Sequence, residues 1–148
     1  GGNHEPDAIG YAWSKDGMNW KKYEGNPIFS SDVNIDWERN KTAACHVLKW
    51  DGWYYMFYIG FIHVDRAAIG LARSKDGITG WERYSQNPII APDKGKFDEK
   101  AVYKPYVMKN DTGWIMWYNG AMYIPDSEEI VREQIGVAYL KRENLWNE

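Results

Sequence analysis

The chain has 148 residues, which suits one domain or a piece of one, and its 18 Lys and Arg against 21 Asp and Glu give a formal charge of −3. That balance argues against a nucleic-acid face, which needs a concentrated basic excess, and 44% hydrophobic with 26% charged residues excludes a disordered chain. A single cysteine, Cys45, excludes an internal disulfide framework, and no apolar run is long enough to cross a bilayer as a helix. No charged-then-apolar leader opens the sequence, so the reading is a soluble domain whose compartment is not indicated.

Internal repeats organise the chain, and they decide its architecture. Ile9-Gly-Tyr-Ala-Trp-Ser-Lys-Asp-Gly-Met-Asn-Trp20 returns as Ile69-Gly-Leu-Ala-Arg-Ser-Lys-Asp-Gly-Ile-Thr-Gly-Trp81, and a third start stands at Ile135-Gly-Val-Ala-Tyr139. The first two copies run on to Asn-Pro-Ile, at Asn26 and Asn87. Gly52-Trp-Tyr-Tyr-Met-Phe-Tyr-Ile-Gly60 alternates with them and resembles Gly113-Trp-Ile-Met-Trp-Tyr-Asn-Gly120. A repeat of this length fits a four-stranded propeller blade with generous loops.

In chain order, the first repeat offers only a third and an outer strand. The second supplies an inner strand at 43–49, a second strand at 53–59, a third at 68–74 and an outer strand at 88–91. The next adds inner, second and third strands at 102–109, 114–119 and 135–140. The 53–59 segment is apolar or aromatic on both faces, which places it between two other sheets. Pro27 and Pro88 suit an edge strand, because proline cannot donate to a ladder. Ser14-Lys-Asp16-Gly17 and Ser74-Lys-Asp76-Gly77 read as turns in which the aspartate accepts backbone N–H bonds. Only 127–134 allows a turn or two of helix, within a loop. The fold expected is all-β: one partial domain over 1–148, with antiparallel four-stranded propeller blades numbering about two to two and a half.

At these residues the chain resembles the five-bladed β-propeller glycoside hydrolases of the kind grouped in families 43, 32 and 130. The matching pieces are the Gly-Trp-Tyr-Tyr-Met-Phe-Tyr strand, the Ile-Gly-x-Ala-x-Ser-Lys-Asp-Gly segment and the Asn-Pro-Ile strand, and they cover nearly the whole chain. Enzymes of that kind close five blades with about twice this length. The resemblance implies a carbohydrate-active domain with a ligand funnel on the rim where the inner strands start. The long polar loops at 31–42, 60–67, 93–101 and 119–134 all fall on that rim.

Glycosidic hydrolysis wants two carboxyl groups, one as acid and one as base or nucleophile. The rim candidates are Asp36, Glu38, Asp98 and Glu99, in the equivalent sequences Asp36-Trp37-Glu38 and Phe97-Asp98-Glu99. Trp37 is placed to stack on a sugar ring, and His46, His63, Tyr103, Lys104 and Asn119 complete the expected binding set. Asn119 stands where the equivalent strand has Ile59, and a Lys beside an aromatic suits sugar hydroxyls, a carboxylate or a phosphate. Family 43 enzymes carry a carboxylate at the start of inner strands, whereas these stretches read Ala44-Cys45-His46-Val47 and Val102-Tyr103-Lys104-Pro105. A non-catalytic carbohydrate-binding or purely structural domain therefore stands as the alternative to an enzyme. His46 also reads as a hydrogen-bonded structural histidine. No metal site or cofactor is expected. The strand count leaves apolar faces uncovered, so the expected assembly is a homodimer in which terminal strands complete the partner's partial blades, with a fragment of a longer propeller as the alternative.

Overall fold

The computed structural model describes residues 7–124 and 131–146. Four short strands come first: β1 (Ala8–Ile9), β2 (Ala12–Trp13), β3 (Lys21–Lys22) and β4 (Phe29–Ser30). They form two small antiparallel sheets, β1 with β4 and β2 with β3. Next comes a four-stranded antiparallel sheet in sequence order, β5 (Lys41–Trp50), β6 (Trp53–His63), β7 (Arg66–Ser74) and β8 (Glu82–Arg83). A three-stranded sheet completes the set, ordered β11-β10-β9, from β9 (Ala101–Asn110), β10 (Gly113–Tyr123) and β11 (Val131–Leu140). No helix occurs among the described residues, as the all-β reading expects.

Three expectations need correction. The outer strand is not a continuous run over 88–91. Instead β8 pairs with Ala72 and Arg73, and farther along only a single bridge joins Ile90 to Ile69. Pro88 has no N–H to offer, and the gap is spanned by a side chain. Leu71 N–H donates to Asn87 Oδ1 at 2.8 Å, and Asn87 Nδ2 donates to Leu71 O at 2.9 Å, so the amide imitates a ladder partner. Asn26 does the same for Tyr11, at 2.7 and 2.8 Å. The Asn of Asn-Pro-Ile is thus a ladder residue working through its side chain, and each proline bond, Asn26-Pro27 and Asn87-Pro88, is cis.

The second correction lies at the rim. β6 and β10 continue as strands to His63 and Tyr123, so much of the expected loop is hairpin. The third is that Val131–Gln134, expected as a helical turn, pair with Tyr123 back to Gly120 as part of β11. A ladder of successive backbone bonds outweighs a weak local helix preference. Residues 127–130 of that expected turn lie outside the described residues.

β6 is buried on both faces, with Tyr55, Met56, Phe57, Tyr58 and Ile59 between 0% and 5% exposed. Tyr58 and Met56 meet Ile9 and Phe29 on one side, while Tyr55 and Phe57 meet Val107, Trp114 and Met116 on the other. Trp53, expected in this core, is only half-buried. The seam between the two large sheets keeps a cavity of about 310 Å³ lined by Phe57, Leu71, Ile90, Val107, Trp114 and Leu145. Its lining takes in 114–116 of β10 and 138–140 of β11, at the end away from the rim where β5 and β9 begin.

Before each long inner strand a turn lays an aromatic ring across two glycines. Trp37 covers Gly60 of β6 and Gly70 of β7, and a Cβ at Gly70 would lie 2.5 Å from Trp37 Cη2. Phe97 covers Gly120 and Gly136, where a Cβ would lie 2.6 Å from Phe97 Cζ. The glycines therefore leave room for rings, and this is the sequence reason for Ile-Gly at the second and third repeat starts, whereas Gly10 of the first faces the Asn26 side chain. Gly70→Ala should destabilise the fold by about 1–3 kcal/mol through overpacking, measured by urea unfolding. The double variant with Trp37→Ala should lose less than the sum of the two single losses. Asn87→Ala should cost about 1–3 kcal/mol in the same measurement, because it strands the Leu71 N–H, while Leu71 O keeps the Tyr84 N–H.

Candidate functional site

The rim is set by chain direction. β5 and β9 start there and β6 and β10 end there, so the turns at 31–40 and 93–100 share it with the hairpin ends. A cross-sheet contact aligns the two large sheets: Asp65, between β6 and β7, lies 3.5 Å from Lys100 Nζ and accepts from Tyr123 Oη at 3.3 Å. Lys100 Nζ also sits 4.8 Å from the Tyr123 ring centre. Asp36 and Asp98 thus belong to the same end of the molecule.

The four candidate acids are in unlike surroundings. Glu38 is fully buried and accepts from Tyr58 Oη at 2.5 Å. Arg83 donates to Glu38 Oε1 from Nε at 2.7 Å, its Nη2 lies at the same distance, and Asp32 N–H adds a bond at 3.2 Å. Arg83 also donates to Ser30 O and lies over the Phe29 ring, linking β8 to β4. Burial, then the hydrogen bond to Glu38 and its charge, push the Tyr58 phenol well above its ordinary range, so it stays protonated and donates.

Asp98 repeats this arrangement in part. It is 5% exposed and accepts from Tyr118 Oη at 3.0 Å. The Tyr118 phenol is pushed up to about 12 by burial and by Asp98. Asp98 Oδ1 is buried without a partner. Asp36, by contrast, is exposed, with Arg39 at 3.8 Å. Glu99 is half-buried and accepts from Gly95 N–H at 3.0 Å. Trp37, expected as a sugar platform, is half-buried over Gly60 and Gly70, with Tyr58 5.6 Å away between ring centres.

The inner strands each bulge at equivalent points. Ala44 and Lys104 are the extra residues and take φ of 21° and 53°. A non-glycine residue at positive φ is uncommon, and bulges gather beside sites because they re-aim side chains. At the second bulge the candidates Tyr103, Lys104 and Asn119 come together. Tyr103 and Asn119 are directly paired across β9 and β10, and Lys104 Nζ lies 5.4 Å from the Tyr103 ring centre. Glu133 of β11 joins them: burial first, then a hydrogen bond to Glu133, raises the Tyr103 phenol. The sequence reading missed Glu133 by assigning it to a loop. The available signal was its spacing two residues before Ile135, which puts both on Asn119's side of the sheet.

His46 lies apart from that group. Its Nδ1 accepts Val107 N–H at 2.8 Å, and its ring stacks on Tyr106 at 4.7 Å and 17°. His63 is exposed at the end of β6, opposite Arg66. Among the described residues no three His, Cys, Asp or Glu side chains gather in a metal-binding group.

No protein-family model matches the chain. A 1,2-beta-oligomannan phosphorylase from Thermoanaerobacter sp. (strain X514) is 31% identical over 157 residues, covering 93% of this chain and 50% of the relative. A solved glycoside hydrolase superposes with a TM-score of 0.65 at 25% identity, covering 95% of this chain and 39% of that one. A family 117 glycoside hydrolase from the marine bacterium Zobellia galactanivorans gives a TM-score of 0.69 at 20% identity, over 88% of this chain and 38% of that one; it speaks to the fold alone. The resemblance to β-propeller glycoside hydrolases therefore holds, and the chain spans about half the length of the curated relative it matches.

This geometry has two measurable consequences. Glu38→Leu should lose about 3 kcal/mol in chemical unfolding, because Arg83 and Tyr58 lose their shared acceptor. Burial lowers the His46 pKa from 6.5, and the Val107 bond needs Nδ1 unprotonated. The folded state resists the charged form, so this stability is whole above 6.5 and declines as pH falls below it. The urea midpoint should therefore drop on acidification below that value, and less in His46→Gln, when unfolding is followed at a series of pH values.

Proposed function

We propose that the chain is a glycoside hydrolase-like carbohydrate-active domain that holds poly- or oligosaccharide at the rim where β5 and β9 begin. The observation that carries this reading is the cluster of Tyr103, Lys104, Asn119 and Glu133 beside a left-handed bulge residue, on a scaffold matching carbohydrate-active proteins. A phenol, an amide, an ammonium and a carboxylate together offer the donors and acceptors that sugar hydroxyls need. Of the four candidate acids, Asp36 and Glu99 are left nearest solvent for proton transfer. Glu38 and Asp98 are drawn into tyrosine contacts beneath the turns.

Those tyrosine contacts favour a second reading, a binding or structural domain without catalysis of its own. A general acid or base must reach the proton that it transfers, and Glu38 already has its oxygens engaged by Tyr58 and Arg83. On either reading the finer architecture is two to two and a half blades of a propeller. The outward face of the three-stranded sheet exposes Tyr106, Met108, Ile135, Val137 and Tyr139 at 43–72%. Such a patch supports association, with a homodimer completing the partial blades.

Calorimetric titration with β-1,2-linked oligomannan, together with a glycan array, tests the reading. Saturable binding is expected, and Asn119→Ala should weaken it roughly tenfold, the equivalent of one good hydrogen bond. No binding to any glycan would remove the proposal. Release of reducing sugar, with and without inorganic phosphate, separates hydrolysis and phosphorolysis from binding alone. Light scattering should give twice 17.3 kDa for the dimer.

A further inference from the structure

We propose that the cavity between the two large sheets binds a small aromatic carboxylate, with the rings in the seam and the carboxylate on Arg142. The proposal does not depend on carbohydrate binding, because the β10 and β11 walls of the cavity are at the end away from the rim. The cavity measures about 310 Å³, and Phe57, Leu71, Ile90, Val107, Trp114 and Met116 form most of its apolar wall. An apolar cavity of about 150 Å³ already takes up benzene, so this one has room for two rings. Interiors are close-packed as a rule, and a space of this size falls in the range of pockets that hold small ligands. Occupancy leaves the exposed apolar patch free. Ala138 packs against the same core as Trp114 and Met116, whereas Ile135 and Val137 are exposed on the outward face of the sheet.

Arg142 sets the charge of the ligand. It lines the cavity just after β11, its Nε is buried without a partner, and its Nη2 makes only a long bond of 3.4 Å to Leu145 O. Arg39, Arg73 and Arg83 each stand against a carboxylate, but no carboxylate of the described residues reaches Arg142. A buried donor left open is costly, and a guanidinium meets a carboxylate through two parallel hydrogen bonds. The other polar groups on the wall are already engaged, since Tyr84 Oη donates to Gln86 Oε1 at 3.3 Å. One open cation on an otherwise apolar wall suits a ligand with a single anionic group. A sugar is excluded, because its hydroxyls would lie unpaired against Leu71, Val107 and Met116. The rings of Phe57, Tyr84 and Trp114 favour an aromatic body over an alkyl chain.

Naphthylpropanoate and its uncharged counterpart naphthylpropanol are titrated into the whole protein by calorimetry. Saturable binding of the acid is expected, with the alcohol roughly tenfold weaker. In Arg142→Gln the two should come within about threefold of each other, because the charge coupling is then gone. Ala138→Phe fills the seam and should weaken both by roughly tenfold or more. Saturating oligomannan should leave acid binding unchanged, which separates this site from the rim. The comparison of acid with alcohol on unaltered protein stands even if Ala138→Phe fails to fold. Absence of saturable binding, equal binding of acid and alcohol, or an acid preference that survives in Arg142→Gln would each overturn the proposal. So would unaltered affinity in a folded Ala138→Phe protein, or displacement of the acid by oligomannan, since the ligand would then be bound elsewhere.

Discussion

A buried carboxylate between a tyrosine and an arginine is the contact on which the four-stranded sheet and its neighbours depend. Glu38 lies under the turn that leads into β5, takes the Tyr58 hydroxyl from β6 and takes the Arg83 guanidinium from β8. Arg83 reaches on to Ser30 of β4. One charge thus ties the approach to the inner strand, the middle strand, the outer strand and the preceding small sheet. Burying a charge is tolerable only when its partners are fixed, so these groups constrain one another. The neighbouring Trp37 ring takes its position from the same turn, and Gly60 and Gly70 are small because it is there.

Repetition carries this arrangement to the second large sheet with a different balance. Asp98 is one methylene shorter than Glu38, keeps its tyrosine and lacks its arginine among the described residues. Evenly repeated sequence therefore does not mean evenly satisfied structure. The difference falls beside β11, whose outer edge has no strand paired to it among the described residues. The polar cluster of Tyr103, Lys104, Asn119 and Glu133 occupies the other face, since Asn119 and Tyr118 are adjacent strand residues with opposite orientations. One sheet thereby separates a buried acid from a group of polar side chains that are exposed or half-buried.

The candidate acids show how position in sequence and chemical role part company. Asp36 and Glu38 are two residues apart, yet one is in water and the other has none around it. Both read equally well as rim carboxylates in a linear sequence. What separates them is the Trp37 ring, which turns inward over glycines and takes Glu38 with it. A catalytic assignment built on acid-aromatic-acid spacing alone cannot distinguish the member that supports the sheet from the member that meets solvent.

The sequence by itself determined the inner and second strands of the two large sheets, their alternation and the repeat. These are local properties: a continuous apolar and aromatic run in 53–59, glycine at turns, and the paired Ile-Gly and Asn-Pro-Ile segments. It also placed the rim, because chain direction is settled once the strands are known, although β6 and β10 run on through much of what read as loop. Tertiary structure alone decided which side chains complete those elements. Asn87 closes a ladder through its amide, Glu133 joins the Tyr103 group from a strand that read as loop, and His46 bonds to Val107 across two sheets. Each of these depends on residues brought together from 16 to 61 positions apart, or from different strands. Local pattern fixes which way a side chain points, but its partner is chosen by how the sheets stack.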